Sequence, residues 1–437
     1  MDHRKQRILA IIVGGLVIRL ALAPWVVYGY DLGLYIKWGL AMVEHGWLNV
    51  YSASTANYPP LAVAVMNITA WLAHLLTPST VNPDAGNYLW RIVMKLPAIL
   101  ADTGIALTVW RMSWNQRGSE WVVGAVAFNP AMIYLSAMWG QIDSEYALMV
   151  LVALWMALSE RPFLAGIAFA AAALFKEQGL VATPIVGLAI LSNAVDRLQA
   201  RRDESWTFRA VLEALRPIDL AAAGYFLTLG LFVIPFIAAG QFSRMVTNML
   251  EYPASGSLTI NALNTWYLVT DGVGNVGGPI HASDPGIGGL TLGQIGRLVL
   301  LVWLIIVLIL VWHSRRDRAA WFIGGAMIYL GTFLFLTDMR ERYSFAVLVM
   351  LAGAAAVSLA QGSNRKQAAL FALFGIFTLS HLVNLMFVWG PTPTLEHLFV
   401  DNQQVGMVVA FAMVLSGLVG IWLLIYRATL KAPSPQV

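Results

Sequence analysis

The 437-residue chain contains no cysteine. Disulfides, thiolate metal ligands and a cysteine nucleophile are therefore all excluded. Charge is almost as scarce. Only 11% of residues are Asp, Glu, Lys or Arg, against roughly 25% in a soluble domain. No P-loop, G-x-S-x-G or H-E-x-x-H pattern occurs, so phosphate cradling, acyl transfer and zinc hydrolysis have no support. No Asp-x-Asp pair is present either, which removes the usual soluble nucleotide-sugar site with its divalent metal. Fixed-period repeats and low-complexity tracts are missing as well.

What is abundant is apolar sequence. Hydrophobic residues make up 59% of the chain and the mean hydropathy is +0.70. Many runs reach the roughly 20 residues that a helical bilayer crossing needs. They are continuous rather than alternating, which argues for helices over a membrane barrel. The fold class expected is an all-α polytopic membrane protein. The basic start, Met1–Arg7, resembles a signal peptide, but Arg19 interrupts the apolar run behind it and a retained first helix is expected.

The net charge of +4 reflects topology rather than a nucleic-acid partner. The stretch Leu61–Leu76 is apolar enough to span, yet if it did, the basic loop Arg111–Arg117 would fall outside. Treating it as a surface helix puts Arg4, Lys5, Arg7, Arg111, Arg117, Arg161, Arg197, Arg201, Arg202, Arg209, Arg216, Arg315, Arg316, Arg318, Arg365, Lys366, Arg427 and Lys431 inside. Gly29–Trp90 then keeps only Lys37 outside, and Ala239–Gly296 only Arg244. The spans expected are 8–28, 91–111, 119–138, 143–159, 163–176, 179–193, 217–237, 297–313, 319–337, 343–360, 366–389 and 405–426, about twelve helices with both termini cytoplasmic. This divides the chain into a first helix (1–28), an external loop with surface helices (29–90), a core module (91–237), a large external loop (238–296) and a C-terminal module (297–437). Residues 163–193, broken at Lys176-Glu-Gln-Gly179, are either one long helix or two short ones meeting at an outer depression. The Gly-, Asn-, Ser- and Pro-rich loop 239–296 is either a functional lid or a bare connector.

With this topology the polar clusters collect on the outer side: Asp31, Asn57-Tyr-Pro-Pro60, Gln141-Ile-Asp-Ser-Glu145, Lys176-Glu-Gln178 and Asp338-Met-Arg-Glu-Arg-Tyr343. Ionisable groups near hydrocarbon depth usually face a wet cavity or each other. Each has a structural alternative. Asp31 would cap a helix over Leu32–Glu44. Arg340 and Arg342 would anchor a helix end to lipid phosphate. Lys176 would pair with Glu177 or Asp143, and Gln141 and Asp143 would start a helix. Lys95 and Asp102, seven apart on one helix face, fit bundle packing better than chemistry. His45, His74, His281 and His381 lack metal-ligand spacing.

A lone carboxylate opposite a cationic pair suits sugar transfer from a lipid-phosphate carrier. Asp31 would take the acceptor proton as general base. Arg340 and Arg342 would hold the departing phosphate through charge-assisted bonds. One base without a second nucleophile implies a single displacement with inversion, and needs no metal or other cofactor.

The ordered motifs carry a family resemblance. Asp31 precedes Tyr58-Pro-Pro-Leu61, then Ala101-Asp102, Asn129-Pro130, Trp139-Gly-Gln-Ile-Asp143, Leu174-Phe-Lys-Glu-Gln178 and Met339-Arg-Glu-Arg-Tyr343. Along most of its length the chain resembles the GT-C polyprenyl-phosphate-sugar-dependent glycosyltransferases. Within them it looks closest to bacterial membrane mannosyltransferases related to the second mannosyltransferase of GPI-anchor synthesis. It is also similar to the eukaryotic glucosyltransferases that extend the lipid-linked oligosaccharide. The resemblance implies Asp31 as catalytic base, and Lys176, Gln178, Arg340 and Arg342 near the donor phosphate. Tyr58, Gln141, Asp143 and Glu341 are the expected acceptor- or cavity-lining residues. It further implies a bacterial cell-membrane enzyme with an extracytoplasmic site, a polyprenyl-phosphate sugar donor, and a glycolipid, polysaccharide or protein acceptor. One position departs from the pattern: Arg340 stands where related sequences carry His. A guanidinium still holds phosphate but cannot titrate.

Rival expectations are a polysaccharide polymerase or ligase using a diphosphate carrier, and a lipid or sugar transporter coupled through Lys95, Asp102 and Lys176. The internal symmetry common in transporters is not visible.

Overall fold

The computed structural model describes residues 3–77, 83–114, 116–200, 208–250, 255–360 and 364–429. Arg201, Arg202 and Lys431 lie outside the described residues, as do the side chains of Arg365 and Lys366. Among the described residues the protein is all-α apart from one pair of two-residue strands. Among the described residues, eight helices are long and apolar enough to cross a membrane. Most of the expected spans fall on a helix, several within a few residues at both ends. Leu292–His313, Arg318–Phe335 and Gln403–Thr429 are examples, whereas 119–138 is divided among Ser119–Ala127, Pro130–Ile133 and Tyr134–Trp139. The chain divides into two compact units: Met1–Gly15, Ile105–Leu135 and Pro253–Val437 form one; Leu16–Gly104 and Ser136–Tyr252 form the other.

In the second of these units, helix pairs approach at glycines. The Pro162–Phe175 helix packs along Phe208–Ala238. A Cβ on Gly166 would lie 2.0 Å from the Ala221 carbonyl oxygen, and one on Gly224 2.2 Å from that of Phe163. Small residues permit such backbone contact where lipid leaves no hydrophobic drive between helices. Gly39 likewise brings Gly29–His45 against Pro60–Leu76, where its Cβ would meet Ala70 Cβ at 2.4 Å. The Pro60–Leu76 helix buries Ala62, Val63, Met66, Ala70 and Ala73 and leaves Ile68, Trp71, Leu75 and Leu76 exposed. Of the two readings for 163–193, two separate helices are observed. Pro162–Phe175 stops at Lys176, whose backbone is extended; a short 3₁₀ turn over Glu177–Ala182 follows, then Thr183–Ala200.

Two expectations need correction. The first helix runs His3–Leu22 rather than to residue 28, because a turn follows Leu22 and a new helix opens at Gly29. Asp31 is therefore not a loop carboxylate. It sits in the first turn of Gly29–His45, where a negative charge complements the unpaired N–H groups and the helix dipole.

In the other unit, the Arg318–Phe335 and Phe345–Ala360 helices are buried almost throughout, enclosed by Leu292–His313, Asn364–Met386 and Gln403–Thr429. Gly331 makes room for the Trp303 ring, whose Nε1 donates to Met327 O at 2.7 Å. Arg427 pairs with Asp317.

Within the loop 239–296, read as lid or connector, residues 255–291 are folded onto this unit. Thr259–Ile260 pairs in parallel with Met339–Arg340. Asn264 caps Thr265–Val269 and donates to Phe333 O at 2.9 Å; Trp266 Nε1 donates to Phe335 O at 2.9 Å.

Candidate active site

Asp31 is half-buried and its Oδ2 accepts two bonds. Trp139 Nε1 donates at 2.8 Å and Gln141 Nε2 at 2.5 Å. Its Oδ1 has no protein partner among the described residues. The capping alternative is not what is seen. Tyr28 is the N-cap, without a side-chain cap bond, and its ring packs against Trp139 at 5.0 Å between centroids.

The two donors flank Gly140, which follows a π-helical turn over Tyr134–Trp139. Gly140 has φ +94°, a left-handed conformation that L side chains resist. The reversal lets residues 139 and 141 reach the same carboxylate oxygen. A Cβ there would also come within 3.2 Å of Lys95 Cε and 3.4 Å of Leu32 Cδ1.

Gln141 is fully buried and its amide is fixed at both ends. Tyr35 Oη donates to Gln141 Oε1 at 2.8 Å, so Nε2 faces Asp31. Tyr35 lies one helical turn after Asp31, on the same face. Its hydroxyl also lies 3.2 Å from that of Tyr58. Tyr58 is held in turn by the Tyr51 hydroxyl, which donates to its carbonyl at 2.7 Å. A polar chain thus runs from Asp31 through Gln141 and Tyr35 to Tyr58.

Lys176 and Asp143, both buried, pair at 2.8 Å. Of the two partners considered for Lys176, Asp143 is the one found. The ammonium also lies 5.9 Å from the ring centroids of Tyr58 and Tyr146. Asp143 opens the helix Asp143–Leu158, but Ile142 is its N-cap. Asp143 Oδ2 and Glu145 Oε2 are buried without hydrogen-bond partners among the described residues. Gln178 is half-buried in the 3₁₀ turn.

Asp102 and Lys95 are both saturated. Asp102 accepts from Arg19 Nε at 2.8 Å, Ser136 Oγ at 2.7 Å and Ser144 Oγ at 2.6 Å. The Arg19 that interrupts the first apolar run thereby has its buried counter-ion. Lys95 Nζ is ringed by the carbonyls of Ala23, Val26, Ala137 and Met138 at 2.7–3.1 Å.

The other group of candidates belongs to the other compact unit. Arg340 is half-buried on the short strand, opposite Ile260 and bridged to Asn261. Glu341 and Arg342 are buried and paired with each other, and the Arg342 guanidinium lies 5.8 Å from the Tyr343 ring. Asn261 has φ +57°. Its N–H donates to Asn275 Oδ1 at 2.7 Å and its carbonyl accepts from Asn384 Nδ2 at 2.8 Å, so the partner of Arg340 is itself fixed. His381 is buried, 2.9 Å from Ser344 Oγ and stacked on Phe377.

Three residues of consequence were not among the sequence candidates: Tyr35, Trp139 and Glu145. Trp139 stood inside the quoted Trp139-Gly-Gln-Ile-Asp143 motif, and Glu145 inside the polar cluster. Tyr35 was findable from its i+4 spacing to Asp31.

Comparison with known proteins adds a family. The profile of the ALG6, ALG8 glycosyltransferase family matches residues 38–266. No curated protein matches the chain in sequence. Among solved structures, the crystal structure of ArnT from Cupriavidus metallidurans bound to undecaprenyl phosphate is similar at a TM-score of 0.48 and 16% identity, over 96% of this chain and 76% of that one.

Proposed function

Because the chain belongs to the ALG6, ALG8 glycosyltransferase family, we propose that it is an inverting, metal-independent GT-C enzyme moving one sugar from a polyprenyl-phosphate carrier to an extracytoplasmic acceptor. The observation that carries this reading is the Asp31 carboxylate, held at Oδ2 by Trp139 and Gln141, with Oδ1 unengaged among the described residues.

In the proposed reaction Oδ1 accepts the proton of the acceptor hydroxyl. The acceptor oxygen bonds to the anomeric carbon as the bond from that carbon to the phosphate oxygen breaks. The electron pair leaves with the polyprenyl phosphate, and the anomeric configuration inverts. Trp139 and Gln141 keep the base aimed without occupying the oxygen that takes the proton. Lys176 and Gln178 are assigned to the phosphate, stabilising the charge that develops on it; a phosphate role for Arg340 and Arg342 rests on the sequence resemblance alone. Tyr58, Gln141 and Asp143 are assigned to the acceptor side or the cavity wall. We assign mannose from the sequence resemblance. Glucose is the competitor, since that resemblance extends to glucosyltransferases. The twelve-crossing topology with cytoplasmic termini belongs to the same proposal.

The test is Asp31→Asn in purified, folded protein, given synthetic polyprenyl-phosphate mannose and glucose, with a diphosphate-linked donor in parallel. Removing a general base should cost about 100- to 10,000-fold in kcat, and the wild-type product should carry the inverted anomer. Near-wild-type transfer by the variant, or a retained anomer, would remove Asp31 as base. Turnover of the diphosphate donor alone would favour the polymerase or ligase reading.

A further inference from the structure

Lys95 is buried in the Tyr88–Met112 helix, and its ammonium hydrogen-bonds to backbone carbonyls rather than to a side chain assigned to the reaction. Among the described residues it has no hydrogen-bonded or ion-paired carboxylate. Burying an ammonium is costly, and a carboxylate is the common counterweight. Here backbone carbonyls do that work, and they come from two chain segments. Ala23 and Val26 accept at 2.9 and 2.7 Å; Ala137 and Met138 accept at 2.9 and 3.1 Å.

These segments are the ones that lead into the Asp31 site. Ala23 and Val26 lie in the connection ending at Tyr28, the N-cap of the helix that carries Asp31. Ala137 and Met138 immediately precede Trp139, one of the two donors to Asp31. The lysine stem also runs beneath Gly140, between the two donors, close enough that a Cβ there would meet Cε at 3.2 Å and Cγ at 3.3 Å. One ammonium therefore fixes the base and its holders against each other from below.

We propose that Lys95 is the positioning residue of the Asp31 site, setting the registry between the base and the Trp139-Gly140-Gln141 turn. This rests on the function proposed above for Asp31, but its structural half stands apart from it. Methionine at position 95 keeps an unbranched apolar stem and removes every donor. The freed carbonyls repel one another, and both segments loosen. Displacing a reacting group by about 1 Å costs on the order of 100-fold, so Lys95→Met lowers kcat by about that factor while the donor KM stays within about threefold.

The experiment has two arms, both on the full-length protein in detergent. In the first, hydrogen exchange followed by mass spectrometry should show faster exchange over residues 22–31 and 137–142 together in Lys95→Met, with Arg318–Phe335 unchanged. Lys95→Gln, which retains two N–H donors on a shorter stem, should fall between and serves if the methionine variant does not fold. In the second, kcat is measured for Lys95→Met, Asp31→Asn and the double variant. The methionine substitution should cause no further loss once Asp31 is gone, because positioning an absent base has no effect. Unchanged exchange, loosening of only one segment, or an equal further loss in the Asp31→Asn background would each overturn the proposal. If Asp31→Asn retained activity while both segments loosened, the assignment of Asp31 as base would fall and the structural role of Lys95 would stand.

Discussion

Tyr35→Phe isolates the orientation of one amide. The Gln141 side chain is fully buried and has two fixed partners: Tyr35 donates to Oε1 and Asp31 accepts from Nε2. Removing one hydroxyl deletes one of those restraints and changes little volume. Gln141 Oε1 is then a buried acceptor without a donor, which costs about 1–3 kcal/mol of stability. The catalytic loss should be smaller. Gln141 cannot simply flip, because that would set Oε1 against the Asp31 carboxylate, so it stays facing Asp31 but pivots more freely. About 1 kcal/mol of lost orientation corresponds to about a fivefold fall in kcat. The assay is single-sugar transfer from synthetic polyprenyl-phosphate mannose, paired with thermal unfolding of the same preparation. A kcat loss as deep as that of Asp31→Asn would place Tyr35 in the chemistry itself. Unchanged stability and unchanged kcat together would mean that Tyr35 does not hold Gln141.

Other outcomes follow from packing, burial and charge. Gly166→Ala forces a Cβ into the Ala221 carbonyl and should destabilise by about 1–3 kcal/mol, whereas Gly187→Ala, with open space around it, should not; thermal unfolding distinguishes them. Lys176→Met strands the buried Asp143 charge and should cost about 3–5 kcal/mol; adding Asp143→Leu should restore most of that stability but not the transfer activity. Burial holds the Tyr51 phenol above its ordinary pKa. The unfolded phenol ionises from about pH 10, so this contribution is full below that pH and is lost as pH rises further. Tyr51→Phe should flatten the alkaline fall in stability, measured by unfolding between neutral and strongly basic pH.

Much of the helical layout was legible because its boundaries carry charge. Arg315, Arg316 and Arg318 bracket the gap between Leu292–His313 and Arg318–Phe335, and the polar Lys176-Glu-Gln run marked the break that the backbone makes there. The end of the first helix was not legible, because Trp25-Val-Val is as apolar as the helix before it and hides the turn after Leu22. Asp31 stood out as an isolated acid, and Gln141 and Asp143 as polar residues in an apolar setting. Their partners were harder to see. The four oxygens around Lys95 are main-chain carbonyls, which no side-chain pattern reports. The approach of Trp139 and Gln141 to one oxygen depends on the left-handed backbone of Gly140, and a single glycine in a sequence does not announce its φ. Asp102 and Arg19 are far apart in the chain, and their pairing is a tertiary fact.

The pairing of Thr259–Ile260 with Met339–Arg340 has a bearing on biogenesis. Two apolar helices, Leu292–His313 and Arg318–Phe335, are threaded between the partners. A ribosome delivers the first strand well before the second exists, so the early segment must wait with an unmatched edge until both intervening helices have entered the bilayer. A nascent chain halted after Phe335 would expose that edge to protease, and one released after Phe345 would hide it.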